Sequence, residues 1–172
     1  MAANKKRAIL IVDGFATGSQ YAARIRARGG VPYHITSGLE KTSSLGAAFM
    51  DKYIASQIGN EYEKCFRMPD DVDAAVALLK PYQFSAVIPG TETGVIMAER
   101  LAHAFGLPVN DPVSLYARRD KYLMQKALEH AGLNHIDSFL TANVEEAVAW
   151  FKQSGHARIM IKPVRSAGTD GV

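Results

Sequence analysis

Two aliphatic runs with no polar alternation, Ala8-Ile-Leu-Ile-Val12 and Ser85-Ala-Val-Ile88, each stop at a turn of small residues and hand over to a helix-forming segment. A run without a polar face has nothing to show to water, so each suits a strand buried on both sides of a parallel sheet. After the first, Asp13-Gly14-Phe-Ala-Thr17-Gly18 makes the turn. Thr17 with Gln20 has capping-box spacing, and the helix is expected to run to Gly29-Gly30. Val31–Thr36 and Glu63–Arg67 read as further strands. After Pro69, Asp70 or Asp71 caps a helix that turns Val72, Val76 and Leu79 to the core and ends at Lys80-Pro81. Beyond the second aliphatic run, Pro89-Gly90-Thr91 turns the chain into a helix opening at Glu92. Val95, Ala98, Ala102 and Phe105 share one face of it, and Gly106 is its stop. Such alternation predicts an α/β fold on a parallel sheet. Between Ser37 and Asn60 the pattern is mixed: Ser43-Ser44 reads as the start of a one-turn helix and Tyr53-Ile-Ala as a short strand.

Leu107-Pro-Val-Asn-Asp-Pro112, two prolines around an Asn-Asp pair, is the best boundary in the chain and predicts domains over 1–110 and 111–172. Asp111 caps with Pro112 at the first helical position, and a second start at Asp120 implies two helices or one bent helix ending at Gly132. In it Lys121 stands at the start, and Leu123, Met124, Ala127 and Leu128 form the expected buried stripe. Ile136–Leu140 reads as a strand. Asn143 with Glu146 opens a helix carrying Val144, Ala147, Val148 and Phe151, Gly155 closes it, and Trp150 reads as packing.

Composition excludes more than it selects. A chain 48% hydrophobic and 22% charged can bury a core, and a net charge of +3, part of it from the Lys5-Lys6-Arg7 tail, with no basic stripe interleaved with aromatics, argues against a nucleic-acid partner. The apolar run that ends at Asp13 is too short for a signal or a membrane span, so a cytoplasmic protein is expected. The lone Cys65 rules out an intrachain disulfide and reads as a small buried hydrophobe. The five histidines lack ligand spacing, and Gly14 and Gly18, four apart, do not make the dinucleotide fingerprint.

The chemistry-bearing stretch is Arg158-Ile-Met-Ile-Lys162-Pro-Val-Arg-Ser166-Ala167-Gly168-Thr-Asp-Gly171-Val172. Ile159–Ile161 is an apolar run of strand length, and Pro163 forbids a continuing helix, so Lys162 sits at a strand end. The small residues after it let backbone N–H groups approach an anion, and the lysine adds a point charge. This is not a P-loop, because the lysine precedes the glycines. Read alone, the segment is a surface hairpin turn with a solvated lysine. Likewise, Arg118-Arg119-Asp120-Lys121 alone is a charged helix start, and Glu92 is equally a compensating charge at a helix N-terminus or a contact for a substrate ammonium.

Ile161-Lys162-Pro163 followed by Ser166-Ala-Gly168-Thr-Asp-Gly171-Val172 resembles the glycine-rich loop of the ATP-grasp superfamily, and within it is most similar to the ATP-dependent L-amino acid ligases. Pro89-Gly-Thr-Glu-Thr-Gly94-Val and Arg119-Asp-Lys121-Tyr-Leu-Met-Gln-Lys-Ala-Leu agree in order and rough spacing. The resemblance implies a Rossmann-like pre-ATP-grasp domain over 1–110 and the incomplete first α+β lobe of the ATP-grasp fold over 111–172. It implies that Lys121 and Lys162 hold ATP phosphates under a loop containing Ser166, Ala167, Gly168 and Gly171, with Glu92 and Thr93 on the substrate side. ATP would convert a carboxylate to an acyl-phosphate, which an amine displaces to give an amide of dipeptide type, ADP and phosphate. Magnesium ligands are expected downstream of residue 172, so no metal site and no catalytic residue is assigned here, and the 172-residue piece is expected to be inactive by itself. An amino acid or other carboxylate is the expected partner, without nucleic acid or membrane, and a homodimer through the first domain is compatible with the family. Arg165 in the loop and the Phe15-Ala-Thr17 turn depart from the pattern. They leave open a carbamoyl-phosphate-synthetase-like or purine-pathway ligase, and a non-catalytic Rossmann-like module for a small metabolite or a protein is the alternative of another class.

Overall fold

The computed structural model describes residues 7–38, 47–58 and 61–165. The chain divides into two compact units, Met1–Pro112 and Val113–Val172.

The first unit is built on a four-stranded, all-parallel sheet of β1 (Ala8–Val12), β2 (Val31–Ile35), β3 (Lys64–Phe66) and β4 (Ala86–Pro89), in the order β3-β2-β1-β4. The first aliphatic run, β1, lies between β2 and β4, whereas the second, β4, is an edge strand of this sheet and is only half-buried rather than buried on both faces. Val12 pairs with Ile35 on one side and Pro89 on the other, so the turns after β1, β2 and β4 leave the sheet at the same edge. The strand order reverses between β1 and β4, the place where open α/β sheets bind ligands.

Strand alternation divides the core into two faces. Leu10 and Val12 point to one, where Ile35, Ala75, Leu79, Ala98 and Leu101 complete a cluster covered by α3 (Val72–Leu79) and α4 (Val95–Ala104). Ile11 points to the other, where Ala22 and Ile25 of α1 (Tyr21–Ala27) meet Tyr62. Leu10, Ile11, Leu79 and Leu101 are fully buried, each worth roughly 1.5–3 kcal/mol relative to exposure. Asp71 caps α3 by accepting a hydrogen bond from Ala74 N at 2.7 Å. Gly106, at φ 65°, ends α4, a left-handed position that glycine reaches without strain.

Three local expectations fail in this unit. The capping box at Thr17 does not form: Ala16–Gln20 is a 3-10 turn without a side-chain cap, and the Thr17 hydroxyl faces Gly90 O across the sheet edge at 3.5 Å. Tyr53-Ile-Ala lies inside the helix α2 (Ala47–Gln57), because Ile54 and Ile58, four residues apart, pack together against Phe15. Cys65 is exposed, since β3 is a three-residue edge strand and Cys65 stands opposite the face that buries Phe66. The helix start expected at Ser43-Ser44 lies outside the described residues.

The second unit carries two 3-10 turns, Pro112–Ser114 (entered from the preceding unit) and Tyr116–Arg118, and two helices, α5 (Lys121–His130) and α6 (Val144–Ser154). Both helix starts are capped as the sequence implies. Asp120 accepts from Tyr122 N and Leu123 N at 3.1 and 3.0 Å, and Asn143 accepts from Glu146 N at 3.0 Å. Gly155 at φ 72° ends α6. Ile136–Leu140 and Ile159–Ile161 are not strands, because neither has a ladder partner among the described residues. Met160 and Ile161 are 69% and 75% exposed rather than buried. The expected stripe on α5 is likewise open at Leu123 and Met124. Trp150 packs as expected, stacking on Phe139 with ring centroids 5.7 Å apart.

Candidate functional site

Two polar constellations stand out, one in each unit. The first lies at the sheet edge where the strand order reverses. Asp13 follows β1 directly, is fully buried and takes a left-handed backbone, φ 56°, which Asp tolerates better than most residues. Its carboxylate accepts from Ser37 N at 2.7 Å and Ser37 Oγ at 2.6 Å, after β2, and from Thr93 Oγ1 at 2.5 Å, after β4. Thr91 Oγ1 lies 2.8 Å from Thr93 Oγ1 and extends the network. One buried anion thus ties together the exits of three strands.

The backbone is packed equally closely here. A Cβ on Gly90 would run into Asp13 O and lie 2.7 Å from Gly14 Cα, and one on Gly18 would lie 2.6 Å from Gly90 Cα. These glycines let loop pack on loop. Beside them the His34 ring is 1% exposed against Tyr62, ring centroids 5.3 Å apart, and burial lowers its pKa to about 4. Burial is also the main reason the Tyr62 phenol is raised, with Cys65 and Glu61 adding to it; its hydroxyl donates to Gly14 O at 3.3 Å.

Of the two substrate-side candidates, Thr93 therefore faces inward to Asp13. Glu92 is exposed, in the 3-10 turn Glu92–Gly94 that leads into α4. Sequence reasoning treated Asp13 only as part of a turn and missed its role. Its position between the aliphatic run and Gly14 was the local signal, but its partners are 24 and 80 residues away.

The second constellation is a cavity of about 490 Å³ within the second unit. Phe139, Leu140, Trp150 and Met160 make an apolar lining, and Lys121, Arg158 and Lys162 bring cations to it. Lys121 is held at the start of α5: its N–H donates to Val164 O at 2.9 Å, and its Nζ donates to Pro163 O at 3.2 Å. The N-terminus of α5 is thereby fastened to the segment that follows Lys162. Arg165 strengthens the same junction, with Nε 3.7 Å from the Asp120 carboxylate and its guanidinium 5.6 Å from the centre of the Tyr116 ring. At the far end of the lining His156 and Asp137 meet at 3.1 Å.

The structure thus brings Lys121 and Lys162, 41 positions apart in the chain, to one cavity. Ser166, Ala167, Gly168 and Gly171 lie outside the described residues. An apolar lining with several cations suits an organic anion, and the cations suit phosphate oxygens in particular. For magnesium there is no such fit: among the described residues no three His, Cys, Asp or Glu side chains are grouped to hold a metal ion. Nor is any helix among them long and apolar enough to cross a membrane.

No protein-family model matches the chain. In sequence it is 30% identical, over 98% of its length, to dapdiamide A synthase of Enterobacter agglomerans, of which it covers 38%. In structure it resembles an L-amino acid ligase from Bacillus licheniformis with a TM-score of 0.58 at 15% identity, over 95% of this chain and 37% of that one. A phosphoribosylglycinamide synthetase from Anaerococcus prevotii gives a TM-score of 0.56 at 15% identity, over 87% of this chain and 35% of that one. An N5-carboxyaminoimidazole ribonucleotide synthetase from Thermotoga maritima gives 0.54 at 15% identity, over 84% of this chain and 36% of that one. The chain spans just over a third of the length of each relative. All four are ATP-grasp carboxylate–amine ligases. In sequence the chain is similar to a dapdiamide A synthase, and in its α/β fold on a parallel sheet it is similar to the ligase and synthetase structures above.

Proposed function

We propose that this chain is the front of an ATP-dependent ligase that joins a carboxylate, an amino acid or a close analogue, to an amine. A carboxylate oxygen attacks the γ-phosphorus of ATP and ADP leaves; the amine then attacks the acyl carbon, phosphate leaves, and one proton is lost from nitrogen. Charge accumulates on the transferring phosphoryl group, so this reaction needs cations fixed in place before it starts.

What supports the reading is the convergence of Lys121 and Lys162 on one cavity, with Lys121 anchored to the backbone that follows Lys162. In this reading both ammonium groups bind phosphate oxygens. Lys121 also holds the backbone of residues 163–164, which precede the 166–171 stretch in sequence. Arg165, the departure from the family loop, serves the cap of α5 through Asp120 rather than the nucleotide. ATP and magnesium are the proposed cofactors. The residues present fit the phosphates, and no step is assigned to the metal.

The amino-acid class rests on the sequence likeness to a dapdiamide A synthase across 98% of this chain. We read the protein as cytoplasmic, where ATP is supplied. The test is amino-acid-dependent ADP release by the full-length natural protein. Lys162→Ala is expected to abolish it while shifting stability by no more than about 0.5 kcal/mol, as for an exposed side chain. Undiminished turnover in that variant contradicts the assignment.

A further inference from the structure

Asp13 is a charged group in a place where a fold alone does not need one. Burying a carboxylate costs several kcal/mol unless donors surround it, and a well-packed apolar group in such a position is often no less stable. Here the donors are present, and they come from elsewhere in the chain: Ser37 through N–H and hydroxyl, Thr93 through its hydroxyl. Asp13 is fully buried with both oxygens engaged, so it is not itself a ligand group. Thr93 is also fixed on its other side, by Thr91. Gly94, the next residue, is held so close that an added Cβ would lie 3.3 Å from Asp13 Cβ. The turn held on both flanks is the one that carries the exposed Glu92, at the point where the strand order reverses.

We propose that Asp13 is a positioning residue for an amino-acid substrate: through Thr93 it fixes the 91–94 turn and thereby sets the carboxylate of Glu92 to receive a substrate ammonium that is not the attacking nitrogen. The proposal rests on reading Glu92 as that ammonium contact. A charged pair works only when its geometry is held to about half an ångström, which an unanchored 3-10 turn does not provide. Ser37 links the same anion to the exit of β2, so the frame that aims Glu92 spans three strands. Asn suits position 13 as a probe, because it tolerates the left-handed backbone and keeps one acceptor while removing the charge.

The test measures KM for the amino substrate and for ATP, by ADP release of the full-length natural protein, in Asp13→Asn, Ser37→Ala, Glu92→Gln and the double variant Asp13→Asn/Glu92→Gln. Asp13→Asn is expected to raise the KM of the amino substrate about tenfold, the scale of one charge-assisted hydrogen bond, with the KM for ATP unchanged. Ser37→Ala acts in the same direction with a smaller effect. The double variant is no worse than Glu92→Gln alone, because a misaimed group that is already absent costs nothing more. If the two single effects multiply, or if Asp13→Asn raises both KM values alike, Asp13 is a structural group only and the proposal falls while the reading of Glu92 stands. If Glu92→Gln leaves the amino-substrate KM untouched, the ammonium reading itself falls and the proposal with it. Should Asp13→Asn fail to fold, the cycle of Ser37→Ala with Glu92→Gln decides the matter by the same criterion.

Discussion

The two polar constellations are built on opposite plans. At the sheet edge of the first unit the carboxylate of Asp13 is surrounded by donors of its own chain, and the glycine backbones beside it leave no space for a Cβ. In the second unit the cations of Lys121, Arg158 and Lys162 reach a cavity of about 490 Å³. The first plan fixes backbone, and the second places cations along a cavity. Chain-filled edges should therefore register in stability, and the cavity should register in ligand binding. That difference can be broken or sharpened one substitution at a time.

The largest stability effect is expected at Gly90. A Cβ there meets Asp13 O and Gly14 Cα, both backbone, so neither can swing aside. Gly90→Ala is expected to cost about 3 kcal/mol, the upper part of the overpacking range, read as a lowered midpoint in denaturant. A change within 0.5 kcal/mol would mean that the edge yields easily and that its rigidity is overstated.

Next is the acid response of His34, which touches the same edge through Gly14 and Tyr62. Burial lowers its folded pKa to about 4 from 6.5. The unfolded chain therefore binds the proton more readily, and stability is full above the unfolded pKa and falls as pH drops from 6.5 towards 4. Linkage gives a loss of about 2 kcal/mol between pH 7 and pH 5 from this group. His34→Leu should remove that part of the acid limb, and an unchanged pH profile would show that His34 titrates normally. The smallest stability effect is expected at the cavity, where Lys162 is exposed and Lys162→Ala should shift stability by no more than about 0.5 kcal/mol.

Much of this architecture was legible because it follows from local rules. The unbroken runs at Ala8–Val12 and Ala86–Pro89 became neighbouring parallel strands, and the expected parallel α/β fold is the one observed. Asp71, Asp120 and Asn143 cap the helices they precede, since capping needs only the next three residues. What local rules could not reach is equally specific. The Thr17 hydroxyl turns to Gly90, 73 residues away, so its capping box was lost to a tertiary contact. Asp13 looked like an ordinary turn residue because Ser37 and Thr93 are remote in sequence. Ile136–Leu140 and Ile159–Ile161 have the composition of strands, but composition cannot supply a ladder partner. Lys121 and Lys162 were singled out by their resemblance to a family pattern, and charge and spacing alone would have left both as solvated lysines.

The central claim is that the Lys121–Lys162 cavity receives the phosphates of ATP, and the most direct measurement is the thermal midpoint of the full-length natural protein with and without Mg-ATP. A ligand at one hundred times its Kd adds about 2.7 kcal/mol to a native state that alone binds it. The account predicts a rise of several degrees with Mg-ATP, and none for Lys162→Ala. An unshifted midpoint in the unaltered protein, or an equal shift in the variant, would contradict it.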